Sequence, residues 1–131
     1  MTATAEAFVV SRYTRAEAID DGLLVDLMQG DLEAVVRGSF RFPMACTSAV
    51  FLSCIALTPA AEKAGCDIVG RLSDILWMAR NSVSHRSGSV SLFQAYVVRD
   101  RRRPTLTTLK MVVGPGDDGE PVLTLMFPDE D

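Results

Sequence analysis

The run Gly114-Pro-Gly-Asp-Asp-Gly119 spells G-x-G-x-x-G, a spacing that can cradle a phosphate. That chemistry needs a strand before the glycines and a helix opening directly after them, so that free backbone N–H groups point at the anion. Here Glu120 and Pro121 follow, and then Val122 to Met126, a strand composition. Asp117, Asp118 and Glu120 would also repel a pyrophosphate at close range. A hairpin turn explains every residue instead: Pro115 presets a turn dihedral, Asp117 and Asp118 accept local backbone hydrogen bonds, and Gly116 and Gly119 are free to take positive φ. The three carboxylates are also a candidate cation site, since hard cations take clustered oxygens, but the D-x-[DN]-x-[DN]-G calcium pattern is absent and the turn already accounts for them.

The remaining reactive inventory is thin. Cys46, Cys54 and Cys66 show no C-x-x-C spacing, and His85 is the single histidine. That set reads as reduced, mostly buried thiols rather than a zinc site. His85 sits in a Ser/Arg/Gly segment with no sequence partner for general-base work, and no nucleophile elbow selects a serine. No catalytic residue, metal or cofactor is assigned.

Candidates for binding are clearer. Arg101-Arg-Arg103 is able to grip phosphates or an acidic partner; a solvated hairpin tip whose charges discourage edge aggregation is the simpler reading. Trp77 is the only tryptophan. On a helix it projects opposite the apolar stripe. The expectation favours a second layer covering it within the domain, whereas an exposed Trp77 beside Arg71 and Arg80 would be the kind of anchor that dominates protein interfaces.

The elements that must position these residues follow from pattern. Residues 1 to 7 read as a loose end, and Phe8-Val-Val10 as a short edge strand. Thr14-Arg-Ala-Glu17 is a capping box that opens a short helix, closed near Asp20-Asp21-Gly22. Leu23 to Leu27 reads as a strand and Asp31 to Val36 as a second helix ending at Gly38. Phe40-Arg-Phe-Pro43 breaks the pattern. Thr47 caps a third helix, Ser48 to about Leu57, and Ala60 to Gly65 adds a turn. The clearest helix runs from about Asp67 to Val83, where Ile68, Leu72, Ile75, Leu76, Ala79 and Val83 make one stripe. A polar loop, Ser82 to Ser91, leads to three strands: Ser91 to Val98, Thr105 to Val113, and Pro121 to Phe127. Their short connections imply antiparallel neighbours. The expected class is α+β, one domain over residues 1–131, with N-terminal helices packed on a C-terminal three-stranded antiparallel meander.

Composition bounds the function. A hydrophobic content of 48% decides for a folded globule, no apolar run is long enough to span a bilayer, and the N-terminus lacks a secretory signal, so a cytoplasmic protein with no membrane partner is expected. The net charge of -4 is unevenly spread: residues 71–110 hold eight bases against two acids, and residues 111–131 hold six acids and no base. Overall acidity argues against direct nucleic-acid binding and leaves an acidic surface suited to a basic partner.

Three segments carry a family resemblance. They are Tyr13-Thr-Arg-Ala-Glu-Ala-Ile-Asp-Asp-Gly22-Leu-Leu-Val-Asp26, Gly70-Arg-Leu-Ser-Asp-Ile-Leu-Trp-Met-Ala79, and Thr108-Leu-Lys-Met-Val-Val-Gly-Pro-Gly-Asp-Asp-Gly-Glu-Pro-Val122 with its Pro-Asp-Glu-Asp end. Together they resemble a family of small uncharacterised proteins of bacteria, plasmids, integrative elements and phages, catalogued as a domain of unknown function. The resemblance implies an anti-defence role of the anti-CRISPR or anti-restriction type. The resulting expectation is a non-enzymatic inhibitor that binds a basic surface of a host nucleic-acid-targeting complex. Its contacts would be Trp77, Asp117, Asp118, Glu120 and Phe127, with Arg101, Arg102 and Arg103 as a second, basic candidate. An accessory factor using the Arg99 to Arg103 hairpin on nucleic acid, and a small enzyme with a site built from distant residues, are the alternatives. The oligomeric state is left open, a homodimer included.

Overall fold

In the computed structural model, which describes residues 13–82 and 88–130, helices and one sheet share a common core. The first helix, α1 (Arg15–Asp20), opens with the expected capping box: the Thr14 hydroxyl accepts from the Glu17 N–H, and the Glu17 carboxylate accepts from Thr14. It closes at Gly22, whose φ of 79° is reached without the Cβ clash that other residues meet there. Strand β1 (Leu24–Asp26), helix α2 (Gly30–Ser39) and strand β2 (Met44–Thr47) follow. Thr47 then caps α3 (Ser48–Val50), which continues as a π-helical turn over Phe51–Ile55. A short α4 (Pro59–Lys63) and the long α5 (Ile68–Ser82) lead to β3 (Val90–Val97), β4 (Thr105–Pro115) and β5 (Pro121–Met126).

The three C-terminal strands pair antiparallel as the pattern predicts, but they form part of a larger sheet. The strand order is β1-β2-β5-β4-β3, and β2 runs parallel to β5, so the sheet is mixed and five-stranded rather than a three-stranded meander. β2 escapes sequence reading for a physical reason. All four of its residues are buried, which removes the alternation that marks a half-buried strand. The expected edge strand at Phe8 to Val10 and the histidine His85 lie outside the described residues.

The helices supply one cover of the sheet. Leu72, Ile75, Leu76 and Ala79 of α5 are buried together with Phe93, Ala95 and Val97 of β3, Leu109 and Met111 of β4, and Leu123 and Leu125 of β5. Register places Val90, Leu92, Gln94 and Tyr96 on the opposite face, level with Val112, Lys110, Thr108 and Leu106. That outer face divides in two. Over β2 and β5 it is covered: Ala45, Thr47, Val122 and Met126 are buried, beneath α1 and a C-terminal hook in which Lys110 Nζ donates to the carbonyls of Pro128 and Glu130. Over β3 and β4, Leu92, Tyr96 and Leu106 are exposed.

One buried cation closes the helical layer. Arg71 on α5 is 6% exposed, and its guanidinium donates to the carbonyls of Ile55 at 3.1 Å, Ser53 at 3.2 Å and Val98 at 2.8 Å. Two of these carbonyls end the π-turn, where the backbone has no further helical donor to offer. Arg71 is therefore a structural clamp and does not stand beside an exposed Trp77 as a binding residue.

Candidate partner-binding surface

Helix α5 must bury its Leu72/Ile75/Leu76/Ala79 stripe on the sheet, and 100° per residue then turns Trp77 away from it. No second layer covers that side among the described residues. Trp77 is 64% exposed, which corrects the expectation that it is covered within the domain. Beside it, Met78 is also exposed, and these two side chains hang over the outermost strand of the sheet. With Asp74, Ala95 and Tyr96 they line a shallow groove of about 260 Å³.

Sequence reasoning missed the strand half of this surface. The alternation in β3 was legible, but Leu92 and Tyr96 fall at the solvent-facing positions, so β3 is apolar on both faces. Val90 to Val97 also contains no charged residue and no proline, the usual devices that keep an edge strand from pairing. Trp77, Met78 and Tyr96 thus flank β3, the outermost strand among the described residues, whose outer face also exposes Leu92.

The acidic turn is different from its expected form. Asp117 reaches beyond the turn: its two carboxylate oxygens accept from the backbone N–H groups of Arg15 at 2.8 Å and Ala16 at 3.0 Å, at the N-terminus of α1. Glu120 Oε1 accepts from the Asp118 N–H at 3.1 Å. Of the two glycines expected at positive φ, only Gly119 takes it, at 84°. A Cβ at Gly116 would collide with the Glu120 carboxylate instead. Half-buried Arg15 donates to Thr124 Oγ1 and the Leu123 carbonyl behind the turn. Burial lowers its pKa, and the nearby charges of Asp26, Asp117 and Glu120 oppose that. The charges of Asp117 and Glu120 are thus partly answered by this chain's own Arg15. Asp118 and Glu120 remain exposed.

Phe127 is likewise engaged. It is half-buried against the core, its ring lies 5.2 Å from the Arg99 guanidinium, and its N–H donates to Glu130 Oε1. Arg101, Arg102 and Arg103, on one loop, are all exposed. Loop and acidic turn sit at opposite ends of β4, whose eleven residues span roughly 33 Å, so the two charged segments do not neutralise one another.

Cys46 and Cys54 sit as buried packing groups. Burial pushes the Cys46 thiol up to about 12, and burial also raises Cys54, against the lowering effect of Arg99 and Arg71. A rise from the ordinary value of 9.0 to about 12 cuts the thiolate fraction about a thousandfold at neutral pH. Mass-spectrometric timing of iodoacetamide alkylation should find half-buried Cys66 modified first, with Cys46 protected until the chain unfolds. Early modification of Cys46 would contradict its placement. Among the described residues, no group of three His, Cys, Asp or Glu side chains could hold a metal ion, and no helix is long and apolar enough to cross a membrane.

A model described as a family of unknown function (DUF6573) matches residues 1–131. No curated protein and no solved structure matches the chain.

Proposed function

Since the chain belongs to the family of unknown function DUF6573 over its whole length, we propose its role from its surface chemistry: a non-enzymatic protein that acts by binding another protein. The observation that carries this reading is the exposed Trp77 beside Met78, Tyr96 and an uncharged strand edge. Leaving a tryptophan in water forgoes about 1.5–3 kcal/mol or more of burial energy, an amount recovered when a partner covers it. A strand edge adds main-chain hydrogen bonds to an extended partner segment.

The partner class follows from the family resemblance: a bacterial nucleic-acid-targeting defence complex, inhibited by a small protein of a mobile element. In this reading Trp77 supplies residence time. Asp118 and Glu120, at the acidic end of β4, speed encounter with a basic surface. The experiment is a pull-down and kinetic binding assay against purified CRISPR effector and restriction complexes, comparing the native chain with Trp77→Ala. Loss of a central aromatic anchor costs about 2 kcal/mol or more, so the variant should bind at least about thirtyfold more weakly while melting at the native temperature. Unchanged affinity in Trp77→Ala would falsify the anchor. Asp118→Lys should slow association alone.

Arg101, Arg102 and Arg103, all exposed on one loop, favour a second reading, an accessory factor on DNA or RNA. It requires binding that weakens steeply with salt, and the absence of binding at low salt dismisses it.

A further inference from the structure

A second cavity lies away from the Trp77 strip, where the link between α2 and β2 arches over the helix-facing side of the sheet. It has a volume of about 390 Å³. Its walls are apolar, with Phe40 and Phe42 from the link and Met111 and Leu123 from β4 and β5. At about 30 Å³ per water-sized group, the space corresponds to roughly a dozen heavy atoms, in the size range of small-molecule sites.

Five polar residues, Ser39, Arg41, Arg80, Ser89 and Ser91, break this apolar lining. Arg41 and Arg80 stand at the cavity as exposed cations, and neither has an ion-pair partner among the described residues. Ser91 lies deeper, 7% exposed, and its Oγ has no hydrogen-bond partner among the described residues. An orphaned buried hydroxyl is costly, and native structures rarely tolerate one unless water or a ligand completes it. Arg80 sits in the last turn of α5, and α2 ends nearby at Ser39. The partial negative charge of two helix ends, about half a unit each, is outweighed by two full guanidinium charges.

We propose that this cavity is a ligand site for a small organic monocarboxylate with an apolar body, such as a medium-chain acyl or aryl acid. The carboxylate pairs with the planar forks of Arg41 and Arg80, a geometry that guanidinium groups match by two parallel hydrogen bonds. The apolar body fills the space between Phe40, Phe42, Met111 and Leu123. The Ser91 hydroxyl then gains a polar partner on the ligand, in the manner of the few oriented polar groups that give apolar pockets their specificity. A chain with net charge -4 suits a monoanion better than a polyphosphate, whose several charges would meet the acidic remainder of the surface.

Calorimetric titration of the full chain with decanoate, and with decanol as its neutral counterpart, tests this. Decanoate should bind, and decanol should bind about tenfold more weakly or worse, since a charge-assisted bond is lost. Arg41→Gln/Arg80→Gln, both at exposed positions, should weaken decanoate by at least about tenfold on the same ground. Ser91→Ala gives an independent readout: without ligand it should melt above the native chain, because an unpaired buried hydroxyl is gone, yet bind decanoate less tightly. The proposal is overturned if decanoate fails to bind at millimolar concentration, if decanol binds equally well, or if the double arginine variant keeps native affinity. It is independent of the Trp77 strip, so Trp77→Ala should leave the decanoate titration untouched.

Discussion

Replacing Arg71 by methionine is expected to lower the free energy of unfolding by about 3–5 kcal/mol, a large share of the total for a domain of this size. The side chain is nearly enclosed and donates to three carbonyls drawn from two places: Ser53 and Ile55 in the π-turn, and Val98 just past β3. Methionine keeps most of the apolar stem but strands those acceptors, at about 1–3 kcal/mol for each buried group left unpaired, with some relief from relaxation. Arg71→Lys should recover only part of the loss, because a single ammonium has no planar fork to reach acceptors spread around it. Urea unfolding midpoints decide the matter. A methionine variant within about 1 kcal/mol of the native chain, below the cost of even one stranded buried acceptor, would show that the three bonds do not close the layer.

The second expectation contrasts neighbours on one helix. Leu76→Ala should destabilise the fold by about 2–5 kcal/mol, because Leu76 is fully enclosed at the centre of the helix–sheet core, where lost transfer energy and a residual cavity add. Trp77→Ala, one residue later, should change stability by less than about 0.5 kcal/mol, the usual range for exposed sites. The binding effect should run the other way: Trp77→Ala weakens partner affinity by at least about thirtyfold, while any Leu76→Ala molecules that remain folded keep it. If Trp77→Ala instead unfolds like Leu76→Ala, the tryptophan belongs to the core and the binding strip loses its anchor.

How much was legible from sequence differs element by element. The Thr14–Glu17 capping box, the Thr47 cap and the α5 stripe are readable because they depend on residues three or four apart. The three C-terminal strands were readable because their residues alternate and their links are short. β2 was not, since a strand buried on both faces carries no alternation, and its parallel pairing with β5 joins residues about eighty positions apart. The burial of Arg71 is illegible for a similar reason. Its three acceptors lie 16 to 27 residues away, and nothing local distinguishes a clamped arginine from a solvated one.

The candidate surfaces follow the same division. The sequence by itself determined the α+β class, the apolar face of α5, the direction in which Trp77 must point, and the hairpin character of Gly114 to Glu120, because each is set by local geometry with a period of two or 3.6 residues. Only the tertiary structure decided whether anything covers Trp77, that Tyr96 joins it at an uncharged strand, and that Asp117 reaches α1 while Asp118 and Glu120 stay exposed. Exposure and pairing are properties of what other segments leave uncovered. They depend on contacts between residues as far apart as Arg15 and Asp117, which a local pattern does not encode.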